Sequence, residues 1–260
     1  MQQRLPEFLG LGTQKGGTTT LQRLLEQHPQ VYLPPRKELH YFSLHYGEGE
    51  AWYRQQFAEA APEQRSGEIT PYYLFHPQAP ARIHALLPEV KLIVLLRDPV
   101  ERALSQVAHS MRLGLEPLEL EDALAAEPER LQGADEVLTA ADGRHRSHQE
   151  HSYLARSRYE VQLRRYQQYF SANQLFIRRS EDLFERPELL WAELLNFLGL
   201  EPVLLPLEGR WAHAGQRSGQ GDSAQMLASV QQMLRCSLAE TYAAMDLDYG
   251  LHWPSVSQPG

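Results

Sequence analysis

The chain has 260 residues, 42% of them hydrophobic, which is enough for one sizeable domain or a domain with a small annex. A net charge of −8 and a pI near 5.8 argue against non-specific nucleic-acid binding as the main task. No apolar run approaches the roughly 18 residues of a membrane span, no signal peptide is recognised, and the single Cys236 excludes an internal disulfide. We therefore expect a single domain over 1–260, with its core over about 7–250, located in the cytoplasm.

The first predicted elements are a strand at 7–12, a loop rich in Gly and Thr, and a helix at 18–28. A strand, a glycine loop and a helix N-terminus together favour an anion, because the first helical N–H groups are unpaired and the helix dipole attracts negative charge. The phosphate loop of nucleoside triphosphatases places its lysine after the glycines. Here Lys15 precedes Gly16 and Gly17, so the loop predicts a different anion.

The remaining pattern alternates between strands and helices. In chain order it predicts an extended piece at 31–33, a helix at "WYRQQF", a strand and turn at "GEITPYYL", a helix at 77–87, a buried strand at 91–96, a helix from Val100 to Met111, a helix from Tyr159 to Phe170, a strand at "QLFIR", a helix at "PELLWAELLNFLGL" and a last helix at about 223–245. Residues 128–150 and 254–260 are expected to be loop-like or flexible. This alternation predicts an α/β fold: a single P-loop-like domain with a central parallel β-sheet flanked by helices.

The second telling segment is "KLIVLLRDPVERALSQ". Arg97 ends the predicted buried strand, Asp98 is a candidate helix cap, and Ser105 follows eight residues after the arginine. Ligands of open α/β sheets bind at the carboxyl ends of the strands, where a guanidinium could hold a phosphate with two hydrogen bonds. The alternative is a structural arginine paired with Asp98 or Glu101.

Taken together, these motifs resemble the sulfotransferases that use 3′-phosphoadenosine 5′-phosphosulfate (PAPS). "QKGGTTTL" is similar to their 5′-phosphosulfate loop, and "LLRDPVERALSQ" to their 3′-phosphate segment. "KELHYF", "WYRQQF" and "GEITPYYL" match, in order, the heparan-sulfate-type and related bacterial members. "SRYEVQLRRYQQYF", "LFIRRSEDLFERPELLWAELLNFLGL" and "QRSGQGDS" extend the resemblance over nearly the whole chain.

The resemblance implies an enzyme that moves a sulfuryl group from PAPS to an acceptor hydroxyl and releases 3′-phosphoadenosine 5′-phosphate (PAP), with no metal required. The residues it implies at the donor are Lys15, Gly16, Gly17, Thr18, Thr19, Thr20, Arg97, Ser105, Arg217 and Gly219. Lys15 would lie beside the oxygen that bridges phosphorus and sulfur, where charge develops as the bond breaks. Arg217 and Gly219 belong to a late loop that resembles the one closing over the 3′-phosphate and adenine.

Transfer also needs a base for the acceptor's proton. Glu38 holds the position of the catalytic glutamate in the heparan-sulfate-type enzymes, and His40 is the alternative, because an imidazole titrates near neutrality. A solvated surface glutamate and a structural histidine are the plain alternatives to these roles.

The acceptor is expected to be a small molecule or a carbohydrate with a hydroxyl group, and the partners to include no nucleic acid and no membrane span. Many glycosaminoglycan members carry a lysine where this chain has Ile69, which weakens the case for a polyanionic sugar. The alternatives are a nucleotide-binding module without transfer activity and, less favoured, a kinase or triphosphatase. His145, His148 and His151 are interpreted as part of a solvated loop and not as a metal site.

Overall fold

The structure is a computed structural model, and it describes residues 4–206 and 222–254. Its sheet has five parallel strands in the order β2-β3-β1-β4-β5. The strands are β1 (Phe8–Gly12), β2 (Val31–Tyr32), β3 (Arg65–Ile69), β4 (Lys91–Leu96) and β5 (Leu175–Arg179). The predicted parallel α/β architecture is confirmed.

Helices pack on both faces of this sheet. They are α1 (Thr18–Glu26), α2 (Gly49–Gln55), α3 (Tyr72–Phe75), α4 (Ala79–Leu86), α5 (Pro99–Arg112), α6 (Leu120–Ala125), α7 (Glu127–Arg130), α8 (Ala134–Val137), α9 (Arg146–Glu150), α10 (Tyr159–Gln167), α11 (Asp182–Glu185), α12 (Pro187–Leu198), α13 (Asp222–Ser237) and α14 (Ala239–Tyr249), with 3-10 turns at Tyr46–Glu48, Ala155–Ser157 and Ala172–Gln174. Side chains on one face of β1, such as Leu9 and Leu11, pack with α10, whereas Phe8 on the opposite face packs with α1 and α12. The central strands are apolar on both faces because helices cover both.

Two predicted elements differ from the structure. Residues 128–150 contain α8 and α9 and the end of α7, so this segment is not the continuous loop that its weak pattern indicated. The predicted single helix at 223–245 is two helices, because α13 ends at Ser237 and α14 begins at Ala239. Residues 255–260, predicted to be flexible, lie outside the described part of the chain.

The strand order sets the position of the site. Strand β1 pairs with β4, and Gly12 lies opposite Val94 in the register. The segments that follow these two strands therefore leave the same edge of the sheet side by side, and they carry Lys15 and Arg97.

Candidate active site

The loop between β1 and α1 is tightly packed around its two glycines. A Cβ atom on Gly16 would lie 2.7 Å from the carbonyl oxygen of Leu95, and one on Gly17 would lie 2.8 Å from Leu183. Gly17 also has a φ of 80°, which residues with a side chain rarely adopt. Within the described part of the chain no side chain caps the N-terminus of α1, so its first N–H groups stay available for an anion.

Lys15 lies half-buried in this loop. Its ammonium has no hydrogen-bond or ion-pair partner within residues 4–206 and 222–254. Burial lowers the pKa of Lys15, and the nearby guanidinium groups of Arg112 and Arg97 lower it further. An ammonium whose pKa is lowered by neighbouring cations lies in an electrostatic setting that a bound anion would relieve.

Arg97 follows β4 and faces the same loop. Its Nη1 donates to the carbonyl oxygen of Lys15 at 3.5 Å, and its Nη2 lies 3.7 Å from a carboxylate oxygen of Glu101. The sequence left open that Arg97 only pairs with Asp98 or Glu101, and the pair with Glu101 is present. Because this contact is long, the guanidinium can still turn to a ligand. Asp98 is the predicted helix cap: its Oδ1 accepts from the N–H of Glu101 at 2.9 Å. Ser105 lies on α5, on the wall of the same cavity.

Glu38 and His40 approach the loop from the opposite side. Glu38 Oε2 lies 3.6 Å from His40 Nε2, and the side chain of Glu38 is 37% exposed. The neighbouring Lys37 donates from Nζ to the Thr19 hydroxyl at 2.7 Å, which ties this segment to the start of α1. His40 Nδ1 lies 3.1 Å from the Ser43 hydroxyl. The two candidate bases are therefore neighbours, and both are accessible from the cavity.

A buried carboxylate supports the segment that carries these bases. Glu68, 2% exposed, accepts hydrogen bonds from the hydroxyls of Tyr53, Thr70 and Tyr73 at 2.7, 2.8 and 2.9 Å. The Thr70 hydroxyl also accepts from the N–H of His40 at 3.5 Å. Burial raises the pKa of Glu68 even though these hydrogen bonds act in the opposite direction. Nothing in the sequence pattern indicated this role, since Glu68 lies within a short predicted strand.

One cavity of about 840 Å³ joins these groups at the carboxyl edge of the sheet. Its walls include Lys15, Gly17, Thr18, Thr19, Thr20, Glu38, His40, Arg97 and Ser105 from the sequence-predicted set. Gly16 lies buried at the base of the loop, against Leu95. Arg217 and Gly219 lie outside the described residues. The volume is in the range of about 300–1,000 Å³ that small-molecule sites occupy.

Some residues of the cavity wall were missed by sequence reasoning. They include Gln14, Tyr72 and Arg156, and Arg156 is only 3% exposed. Arg156 lies just before α10, where the sequence indicated nothing beyond the start of a helix. An arginine at a helix start is ordinary, so only the fold could reveal its position.

The histidine-rich segment is a correction to the sequence interpretation. His148 is 4% exposed, its Nδ1 lies 2.8 Å from the Tyr72 hydroxyl oxygen, and its ring stacks on Phe75 with ring centroids 4.2 Å apart. Burial lowers its pKa to about 2, so it is neutral. His145 caps α9, and His151 Nε2 lies 3.0 Å from the Leu115 carbonyl oxygen. Among the described residues no group of His, Cys, Asp and Glu is placed to hold a metal ion.

Comparison with known proteins identifies the family. The family model for the sulfotransferase domain matches residues 5–232. The chain belongs to the sulfotransferase family. It is thus a member of a family of transferases, as the resemblance of the Lys15 loop and of the Arg97 segment predicted.

Solved sulfotransferase structures share the fold. A sulfotransferase from Alicyclobacillus acidocaldarius gives a TM-score of 0.75 at 25% identity and covers 96% of this chain and 98% of its own. Mouse sulfotransferase SULT7A1, a structure complexed with PAP, gives 0.54 at 14% identity over 95% of this chain and 86% of its own, a likeness of fold alone.

The curated relatives match over a shorter segment. The membrane-associated sulfotransferase kil1 of Dictyostelium discoideum is 41% identical over 111 residues, which are 42% of this chain and 24% of that protein. Human heparan sulfate glucosamine 3-O-sulfotransferase 6 is 42% identical over 108 residues, 42% of this chain and 31% of that protein. The matches thus span about a quarter to a third of these relatives' length. Within the part of this sulfotransferase that the structure describes, no helix is long and apolar enough to cross a membrane; the cytoplasmic location stays a prediction.

Proposed function

We propose that this sulfotransferase moves a sulfuryl group from PAPS to an acceptor hydroxyl by direct in-line transfer. The observation that carries the proposal is one shared cavity. In it the N-terminus of α1, the ammonium of Lys15, which has no partner among the described residues, and the Arg97–Ser105 segment face the Glu38–His40 segment. Anion-binding groups and a candidate base thus share one site, as a transfer between an anionic donor and a hydroxyl requires.

The residues suit the donor because the helix N-terminus and the cations Lys15 and Arg97 line the same side of the cavity. In our proposal the N–H groups of Gly17, Thr18 and Thr19 hold the 5′-phosphate, and the hydroxyls of Thr19 and Thr20 line its surroundings. The N–H of Gly16 donates instead to the carbonyl oxygen of Thr13 at 2.9 Å, so Gly16 shapes the loop. Arg97 and Ser105 hold the 3′-phosphate, whose negative charge would replace the long contact with Glu101.

The chemistry balances without a metal. The acceptor oxygen forms a bond to sulfur while the bond from sulfur to the bridging oxygen breaks, and the electron pair of that bond stays on the 5′-phosphate of PAP. Glu38 takes the proton that the acceptor hydroxyl loses, and His40 is the alternative acceptor of that proton. Lys15 stabilises the charge that grows on the bridging oxygen, an effect of about 3 kcal/mol for a well-placed donor.

The acceptor class is part of the proposal: a hydroxyl of a sugar, a lipid or a small natural product. Ile69, in the position of the lysine of many glycosaminoglycan members, is 3% exposed and packs against Gly10. It therefore brings no charge to the cavity, and this favours an acceptor that is not a polyanion.

The test is transfer from sulfur-labelled PAPS to a panel of acceptors in the presence of EDTA. The panel contains an alkyl alcohol, a phenol, a neutral oligosaccharide and a sulfated oligosaccharide. We expect label in at least one neutral acceptor. Binding of PAP without transfer to any acceptor would instead indicate a nucleotide-binding module, and Mg²⁺-dependent ATP hydrolysis without PAP binding would indicate a triphosphatase.

A further inference from the structure

Arg156 is a buried cation in the cavity wall without an acidic partner among the residues described. It lies in the 3-10 turn Ala155–Ser157 that precedes α10 and is 3% exposed. Its Nη2 donates to the carbonyl oxygens of His148 and Gln149 at 3.1 and 2.6 Å, and its Nη1 donates to the side-chain oxygen of Gln14. All three acceptors are neutral. The Nε–H is buried and finds no hydrogen-bond acceptor in residues 4–206 and 222–254.

No direct ion pair joins Arg156 to a carboxylate of the described residues, although the charges of Glu127 and Glu38 act on it from a distance. A guanidinium carries five N–H donors, and the three hydrogen bonds leave some of them unused. A buried charge is unfavourable unless a counter-ion or a full set of hydrogen bonds satisfies it. Burial lowers the pKa of Arg156 to about 10, so the group is still protonated at neutral pH. The unused N–H donors of Arg156 therefore leave it able to bind an anion.

The neighbours of Arg156 hold its guanidinium in one orientation in the cavity wall. Its guanidinium carbon lies 5.0 Å from the ring centre of Tyr72 and 5.2 Å from that of Phe75, distances typical of cation–π contacts. Gln14, its partner on one side, directly precedes Lys15 in the phosphate loop. Tyr72, its partner on the other side, lies 6.0 Å from the His40 ring. Arg156 thus contacts the residue next to Lys15 on one side and, on the other side, a ring that neighbours His40.

We propose that Arg156 binds the oxygens of the donor's sulfuryl group. This inference rests on the proposed function and assigns a third cation to the donor, beside Lys15 at the bridging oxygen and Arg97 at the 3′-phosphate. A sulfuryl group carries oxygens that a guanidinium can bind with charge-assisted hydrogen bonds. Arg156 neither gives nor takes a proton in the transfer; it stays bound to the sulfuryl oxygens while sulfur passes from the bridging oxygen to the acceptor oxygen.

The consequence is that Arg156 distinguishes the donor from the product. PAP lacks the sulfuryl group, so a residue that contacts only that group contributes to PAPS binding and not to PAP binding. A purely structural role makes a different prediction. If Arg156 only tied Gln14 to the segment before α10, its loss would disturb the phosphate loop and weaken both nucleotides alike.

The experiment compares the affinities of PAPS and PAP, measured by calorimetry without acceptor, for wild type, Arg156→Gln and Arg156→Lys. Arg158→Gln is the matched control, because Arg158 lies two residues further on and is exposed. For Arg156→Gln we expect PAPS affinity to fall roughly 10- to 100-fold, the range for a hydrogen bond to a charged group, while PAP affinity changes less than about threefold. Arg158→Gln should change neither.

Arg156→Lys keeps a buried cation and serves if the glutamine variant does not fold. Its compact ammonium lacks the planar fork, so the ratio of PAPS to PAP affinity should still fall, by roughly 3- to 10-fold. Equal losses for both nucleotides, or no loss for either, would overturn the assignment of Arg156. Failure of the wild-type protein to bind both nucleotides would instead remove the proposed function itself.

Discussion

Lys15, Glu38 and His40 share a left-handed backbone, with φ values of 69°, 54° and 54°. Among the described residues they are the non-glycine positions with positive φ. Such a conformation has an unfavourable energy of about 1–3 kcal/mol for a residue with a Cβ atom, and it tends to occur at functional sites. Histidine tolerates it better than glutamate or lysine. The three residues that the sequence predicts to be catalytic are thus the ones with a strained backbone conformation.

Lys15→Ala tests charge stabilisation apart from binding. The ammonium is half-buried and unpartnered in the described structure, so its interaction with a developing charge would be little screened. We expect turnover to fall roughly 100-fold or more, with a smaller loss of PAP affinity, because the charge on the bridging oxygen grows only in the transition state. Steady-state kinetics and PAP titration measure the two effects; parallel losses would make Lys15 a binding residue only.

Glu38→Gln tests the assignment of the base. The amide is nearly isosteric with the carboxyl and Glu38 is 37% exposed, so the fold and PAP binding should survive the change. Transfer to an alkyl alcohol should fall by roughly 10²–10⁴, the usual contribution of a general base.

His40→Asn is the control for that experiment. The transfer rate of the wild type should rise with pH as the base loses its proton. If His40→Asn lowers turnover more than Glu38→Gln does and also abolishes this rise, the histidine is the general base. The acceptor must be an alcohol or a sugar, since a phenol loses its proton too readily to need the base.

At the scale of elements, the segment from Glu38 to Ser43 is positioned by hydrogen bonds instead of regular structure. Thr70 and Tyr73 link it to Glu68, and Arg82 donates to the carbonyl oxygens of Phe42 and Ser43 at 3.3 Å. These partners come from β3, α3 and α4. Glu38 and His40 lie outside any helix or strand, so these side-chain hydrogen bonds fix their orientation.

Glu68→Gln should change how stability depends on pH. Burial raises the folded-state pKa of Glu68 above its unfolded value, so the folded state binds the proton more strongly. The contribution of Glu68 to stability is therefore largest below the unfolded pKa of about 4.5 and is lost as pH rises through the folded pKa.

Urea unfolding of wild type and Glu68→Gln at pH 5 and pH 8 measures this effect. The free energy of unfolding of wild type, relative to the variant, should be lower at pH 8 than at pH 5, since the glutamine does not titrate and other groups cancel in the comparison. The same difference at both pH values would show that Glu68 does not titrate in this interval.

The break between α13 and α14 shows what helical periodicity cannot reveal. Leu238, 1% exposed, lies between the two helices and packs with Val230 and Leu234 in one apolar cluster. Met245, on α14, packs in a different apolar cluster, the one that contains Leu9 and Leu11 of β1. The apolar spacing continues through the junction, so the sequence predicts one helix. The chain turns at Leu238 because two separate apolar clusters receive its two halves.

At the scale of the whole molecule, the sequence predicted the parts of the site that follow strands. The apolar runs of β1 and β4 identified buried strands, and the motifs after them placed Lys15 and Arg97 at one edge of a parallel sheet. Arg156 and Glu68 could not be predicted in this way. Arg156 meets Gln14 across 142 residues of sequence, and no strand or helix pattern marks the hydrogen bonds that Glu68 accepts, so only the folded structure shows either set of contacts.

The whole-molecule consequence of the proposed site is stabilisation by PAP. A ligand that binds only the folded state, present at about 100 times its Kd, adds about 2.7 kcal/mol to the free energy of unfolding. For a chain of this size that corresponds to a rise in Tm of roughly 5–10 °C. We expect this rise in a thermal scan with EDTA present, because the proposed contacts to PAP involve N–H groups, hydroxyls and cations of the chain and no metal.

Arg97→Ala tests whether the stabilisation by PAP depends on its 3′-phosphate. The variant should lose about 1.5–3 kcal/mol of PAP binding free energy, the scale of a hydrogen bond to a charged group. Ser105→Ala should lose less, since its hydroxyl is neutral. Adenosine 5′-phosphosulfate, which lacks the 3′-phosphate, is the matched ligand: it should stabilise wild type and Arg97→Ala equally. If Arg97→Ala weakened that ligand as much as PAP, Arg97 would act through its contact with the Lys15 carbonyl and not through the 3′-phosphate.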